Sequence, residues 1–205
     1  MRTYENRLPE GYYAIKTISP SKDRKDSMIG MLCVFMPALL LLVLGFLLVK
    51  VTAAQCLTLL LLIPCIPVYL ILHELLHGLV YLILTGRRFQ IGRNQDGFCC
   101  ILPELYVSFQ TQLLCAAAPV LVFTAALLGG SIIAMKHQSG LFMLLSCLLA
   151  FHFFACRGDI YLMKELLTIK DTGNLLIREE KNGDNVVFCP KRSAGRGQGE
   201  ERSCG

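Results

Sequence analysis

A chain of 205 residues is long enough for one soluble domain, yet 54% hydrophobic residues against 17% charged, with a mean hydropathy of +0.55, leave too little polar surface to cover a core in water. The net charge of +5 does not point to nucleic acid, because the Lys and Arg fall mainly between and after apolar runs. The expected surroundings are a lipid bilayer, with no nucleic-acid partner.

Four apolar runs are each long enough to cross about 30 Å of hydrocarbon. Residues 1–27 form a polar tail, followed by a first span at Met28–Val49 that is too long for a signal-peptide core and reads as a permanent anchor. After Lys50–Gln55 a second span runs from Cys56 to about Leu84, with Pro64 and Pro67 expected to kink it. A polar loop over residues 85–111 leads to a third span at Gln112–Met135. The short Lys136–Gly140 turn joins it to a fourth, Leu141–Cys156, as a helical hairpin.

Within the long loop, Arg88–Arg93 and Phe98–Leu102 flank the turn-forming Asn94–Gly97 and read as a β-hairpin, which Tyr106–Phe109 can extend. Past the fourth span, Ile160–Lys170 has helical periodicity. A second hairpin is expected from Leu175–Arg178 and Val186–Phe188 around Asn182-Gly183. The expected fold class is therefore an all-α integral membrane protein of about four transmembrane helices with small cytoplasmic β-hairpins. It divides into a tail (1–27), a four-span core with its loop (28–156), a cytoplasmic C-terminal segment (157–192) and a Gly-, Ser- and charge-rich disordered end (193–205). Of the 20 Lys and Arg, 18 lie in the two terminal segments and the long loop. The positive-inside rule then puts both termini and that loop in the cytoplasm, in a multi-pass protein of the cell membrane. Ten cysteines form no CxxC pair, and most sit in or beside apolar runs, where they read as small apolar residues.

The second span carries His73-Glu74-Leu75-Leu76-His77. Two histidines one helical turn apart share a face and can both bind a zinc ion, with Glu74 beside that face to act on a water. From the composition the chance of this HExxH pattern arising anywhere is roughly 0.003. A charged side chain near the middle of a membrane helix also costs about 2.5–3.5 kcal/mol on insertion scales, so such residues usually serve a site.

A catalytic zinc needs a third protein ligand and an open position. His77 lies about 10 Å from the cytoplasmic end of its span, which directs the search to the same end of another span. Asp159 fits, in Cys156-Arg157-Gly158-Asp159 at the end of the fourth span. His152, seven residues earlier and deeper, is the other candidate, either as an alternative ligand or as a residue behind the ligands.

The sequence HELLHGLVY in a membrane helix, the later LYVSFQTQLLCAAAPVLVF with Pro119, and CRGDIYLMKELL together resemble the putative zincin peptidases, small bacterial membrane proteins related to the site-2 proteases. The likeness spans roughly residues 56–190. It implies zinc held by His73, His77 and Asp159 and an acid/base role for Glu74, although the site-2 protease pattern NPDG is reduced here to Gly158-Asp159. The expected activity is zinc-dependent hydrolysis of peptide bonds in a membrane protein or peptide substrate. The alternative is a noncatalytic membrane-binding or scaffold module that keeps the metal site. Glu74 between the two histidines favours the enzyme, since a purely structural zinc has no need of that acid.

Overall fold

The computed structural model describes residues 4–19, 57–94, 97–101, 105–137, 140–170, 174–180 and 183–191, with isolated positions between 36 and 43. The expected first span and the disordered end at 193–205 lie outside the described residues, apart from those isolated positions.

A 3-10 turn at Thr58–Leu61 runs into helix α1, Leu62–Thr85. Pro64 falls in the first turn of α1, where a missing N–H costs nothing, and Pro67 lies inside the helix. Gly86 ends α1 in the left-handed conformation, φ 67°, and its N–H closes the last turn on the Leu82 carbonyl at 2.8 Å. Helix α2, Phe109–Lys136, starts at Ser108, whose hydroxyl accepts from the Thr111 N–H. Helices α3, Leu141–Ala155, and α4, Arg157–Leu167, meet at a bend of 47°.

By length and composition, Thr58–Thr85 and α2 can each cross a membrane, and α3 with α4 makes a third crossing if the bent pair is one span. Among the described residues this gives two or three candidate spans, where four are expected from the whole sequence. Ile63 and Ile83, at the two ends of α1, are 73% and 70% exposed. Burying such a side chain is worth about 1.5–3 kcal/mol, so a surface of this kind belongs against lipid.

The strands correct the expected fold class. Besides a two-stranded hairpin of β3, Gln90–Asn94, and β4, Gly97–Ile101, there is a five-stranded antiparallel sheet in the order β1-β5-β6-β7-β2. Its members are β1 (Tyr4–Glu5), β2 (Tyr12–Ile18), β5 (Tyr106–Ser108), β6 (Leu176–Glu179) and β7 (Asn185–Pro190). The polar N-terminal tail thus contributes two strands. Tyr106–Ser108 does not extend the loop hairpin but pairs with β1 and β6. The molecule is mostly helical with a real sheet, rather than all-α with separate hairpins.

Strand alternation sorts the sheet's two faces. Val107, Ile177, Val187 and Cys189 pack on Tyr81 of α1, Phe109, Cys115 and Ala116 of α2, and Tyr161, Leu162 and Leu166 of α4. Tyr106, Leu176 and Phe188 make a smaller cluster on the opposite face with Leu8 and Tyr12. Polar ties fix the sheet to the helices. Tyr81 donates its hydroxyl to Gln112 at 2.6 Å, Gln112 donates to Asn185 at 2.9 Å, and Lys16 pairs with Glu165 at 2.6 Å.

Candidate metal centre

His73 and His77 lie on one stripe of α1, and their rings meet edge to face with centroids 4.9 Å apart. Asp159 reaches the same point from the first turn of α4, because the chain leaves helical geometry at Cys156 (φ −73°, ψ 5°) before helical hydrogen bonding resumes. His152 and Asp159, seven residues apart, are therefore on two helices separated by the bend rather than on one straight span. As a result the carboxylate turns toward α1, while His152 stays deep in α3.

The structure brings His73, His77 and Asp159 together, with one donor atom from each within 4.8 Å of the others. His73 Nε2 lies 3.2 Å from Asp159 Oδ2, His77 Nε2 3.4 Å from Oδ1, and the two Nε2 atoms 3.3 Å apart. Ligands held at about 2.0–2.1 Å from a tetrahedral zinc stand about 3.3–3.4 Å from one another. Each of the three distances is close to that value, with the two imidazoles meeting different oxygens of the one carboxylate, and two imidazoles with a carboxylate suit zinc better than the all-oxygen preference of calcium or magnesium.

The tautomer of His77 follows from its other nitrogen. Nδ1 lies 3.0 Å from the Cys115 carbonyl, which can only accept, so the proton is on Nδ1 and the Nε2 lone pair faces the trio. That carbonyl is available because the residue four positions on, whose N–H would bond it inside α2, is Pro119. A proline that appears in the sequence only as part of a motif thus has a local reason to be there.

Glu74 reaches the loop hairpin, where its Oε2 accepts from the Cys100 N–H of β4 at 2.8 Å. That N–H is on the edge of β4 facing α1. The hairpin is seated beside α1 partly because Gly78, next to His77, has no side chain. A Cβ there would come within 2.6 Å of three atoms of the Phe89 ring, which lies over that point.

His152, fully buried, is not in the trio with His77 and Asp159. Its Nδ1 lies 2.6 Å from the Tyr69 hydroxyl and its Nε2 3.0 Å from Thr124 Oγ1. Cys65, Cys100, Cys115, Cys147, Cys156 and Cys189 are free thiols, as the sequence suggested.

Two residues near the centre escaped the sequence reading. Tyr69 stands four positions before His73, on the same stripe as both histidines, and that spacing was its available signal. Glu179 is placed by alternation in β6: Leu176 and Arg178 face away from the helices, Ile177 and Glu179 toward them. Burial, together with the Glu74 and Asp159 carboxylates and against the influence of His77, pushes Glu179 up to about 7.

No curated protein and no solved structure matches the chain. The model of one family, described as "Putative zincin peptidase", matches residues 65–172, which include both histidines, Glu74, Pro119 and Asp159. That match covers more than half of the 205 residues, and the chain belongs to the putative zincin peptidase family.

Proposed function

We propose that this protein is a zinc-dependent endopeptidase of the membrane, with His73, His77 and Asp159 as the zinc ligands and Glu74 as the general acid/base. The observation that carries this reading is the convergence of the two HExxH histidines with a carboxylate from a separate helix, one ligand atom from each lying within 4.8 Å of the others. When bound, zinc would polarise a peptide carbonyl and make a water more acidic.

The chain's own groups do the remainder. Asp159 and the two imidazoles supply three ligands and leave one position open. The Cys115 carbonyl holds His77 with its bare nitrogen inward. Glu74, adjacent to both histidines in sequence, takes the proton of the attacking water and passes it to the leaving amine. The Cys100 N–H holds Glu74 Oε2, and the second carboxylate oxygen is the one that takes that proton. A substrate in this setting is a membrane-protein or membrane-bound peptide segment.

The decisive variant is Glu74→Gln, which preserves shape and leaves every ligand in place but cannot accept a proton at neutral pH. Zinc content should stay near one per chain. Cleavage, read by comparing membrane peptides from wild-type and variant cells, should fall about 10²- to 10⁴-fold. A Glu74→Gln strain that processes every wild-type substrate normally would leave the noncatalytic module as the better reading.

A further inference from the structure

Directly behind His73 lies a second cluster of donors. His73, His152 and Cys156, all buried, also bring ligand atoms within 4.8 Å of one another. The space among them is taken by a hydroxyl. Tyr69 Oη is 3.1 Å from His73 Nδ1 and 2.6 Å from His152 Nδ1, and the Cys156 thiol lies 3.4 Å from His152 Nδ1. A phenol at the middle of the trio makes this a hydrogen-bonded hub, not a second metal cage.

We propose that Tyr69, backed by His152 and Thr124, is a positioning residue that sets the tautomer and orientation of His73 for a metal at the His73, His77 and Asp159 centre. The proposal rests on the zinc reading above. A neutral imidazole carries one N–H and one bare nitrogen. For His73 Nε2 to offer its lone pair, Nδ1 must hold the proton and donate it to Tyr69 Oη. The Tyr69 hydrogen then donates to His152 Nδ1, so the His152 proton is on Nε2, where Thr124 Oγ1 accepts it at 3.0 Å. Every group in the row is satisfied in that polarity. In the reverse polarity, running from Thr124 toward His73, His73 is left with Nε2–H facing Asp159 and no lone pair for a metal.

Packing holds the row in place. The Tyr69 ring meets Phe123 edge-on at 5.1 Å and Phe151 at 5.9 Å. His152 is fully buried, so no water can replace a lost partner. His152 thereby acts on the metal through Tyr69 rather than as a ligand.

The test measures zinc affinity of the full-length protein in detergent by competition with a chelator, beside the visible spectrum of the cobalt-substituted protein. Tyr69→Phe keeps the ring and removes only the oxygen. Zinc binding should weaken about 10- to 100-fold, while the cobalt absorption keeps its wild-type intensity because no ligand has been lost. Thr124→Ser should bind zinc like wild type, and Thr124→Val more weakly. If Tyr69→Phe does not fold, the Thr124 pair decides, and equal affinity in Ser and Val overturns the proposal. So does wild-type affinity in Tyr69→Phe, or a cobalt spectrum showing one ligand fewer in His152→Gln. Wild-type protein that binds no zinc is a separate result, since it removes the centre itself.

Discussion

At the scale of single residues, the trio at the proposed centre was legible because an i, i+4 pair of histidines has one geometric meaning on a helix. Asp159 was pointed to by depth and by the family resemblance, with His152 as the other candidate. Glu179 did not, because a glutamate in a strand reveals its direction only once the face that packs on the helices is known. Its environment gives it a pH signature. Folded, Glu179 releases its proton near 7, above the ordinary carboxylate value of 4.5. Between these values the folded protein binds a proton that the unfolded chain has released. The stability this group contributes is therefore complete below about pH 4.5, falls as pH rises toward 7 and is level above that. In zinc-free protein, thermal unfolding of wild type should lose stability relative to Glu179→Gln from pH 5 to 7.5, at no more than about 1.4 kcal/mol per pH unit. A difference between the two proteins that does not change with pH would show that the surroundings of Glu179 do not hold its proton.

At the scale of elements, the two hairpins and the helices were readable from turn residues and periodicity. The bend at Cys156 and the strands of the tail were not. The bend follows from backbone angles that nothing in Cys156-Arg157-Gly158 dictates. β1 and β2 pair with strands far away in sequence, Tyr4 with Val107 and Tyr13 with Cys189, so no local pattern announces them. Pro119 is the element-scale feature with the clearest consequence. A proline inside a helix costs about 3 kcal/mol relative to alanine, yet here the carbonyl it frees orients His77. Pro119→Ala restores an N–H that competes for the Cys115 carbonyl. Two effects of opposite sign are expected: the unfolding temperature of the zinc-free protein rises, and zinc affinity falls. A variant that gains stability and binds zinc as tightly as wild type would show that His77 needs no such partner.

At the scale of the molecule, the sheet bears on topology in a way charge counting cannot. Its strands come from residues 4–18, 106–108 and 176–190, and hydrogen-bonded neighbours cannot lie on opposite sides of a bilayer. β5 runs straight into the start of α2, so the sheet sits at that end. The start of α1 is at the other end of α2, where the Thr58 hydroxyl donates to the Gly140 carbonyl at 3.0 Å. The chain between Ile18 and Thr58 thus begins and ends at opposite ends of helices about 36 Å long or more, the span a crossing at Met28–Val49 would provide. With 18 of the 20 Lys and Arg in the two terminal segments and the long loop, which supply the strands, the sheet's side is expected to be cytoplasmic. In a cysteine-free background, single cysteines at the exposed positions Glu10 and Lys191 should resist an impermeant maleimide on intact cells and react after lysis, whereas one at His137 should react on intact cells. Reaction of Glu10→Cys and Lys191→Cys from outside, with His137→Cys protected, would reverse the orientation and open the proposed zinc centre to the exterior. Opposite behaviour of Glu10→Cys and Lys191→Cys would be the more serious result, because it would break the β2–β7 pairing that ties the two ends of the chain together.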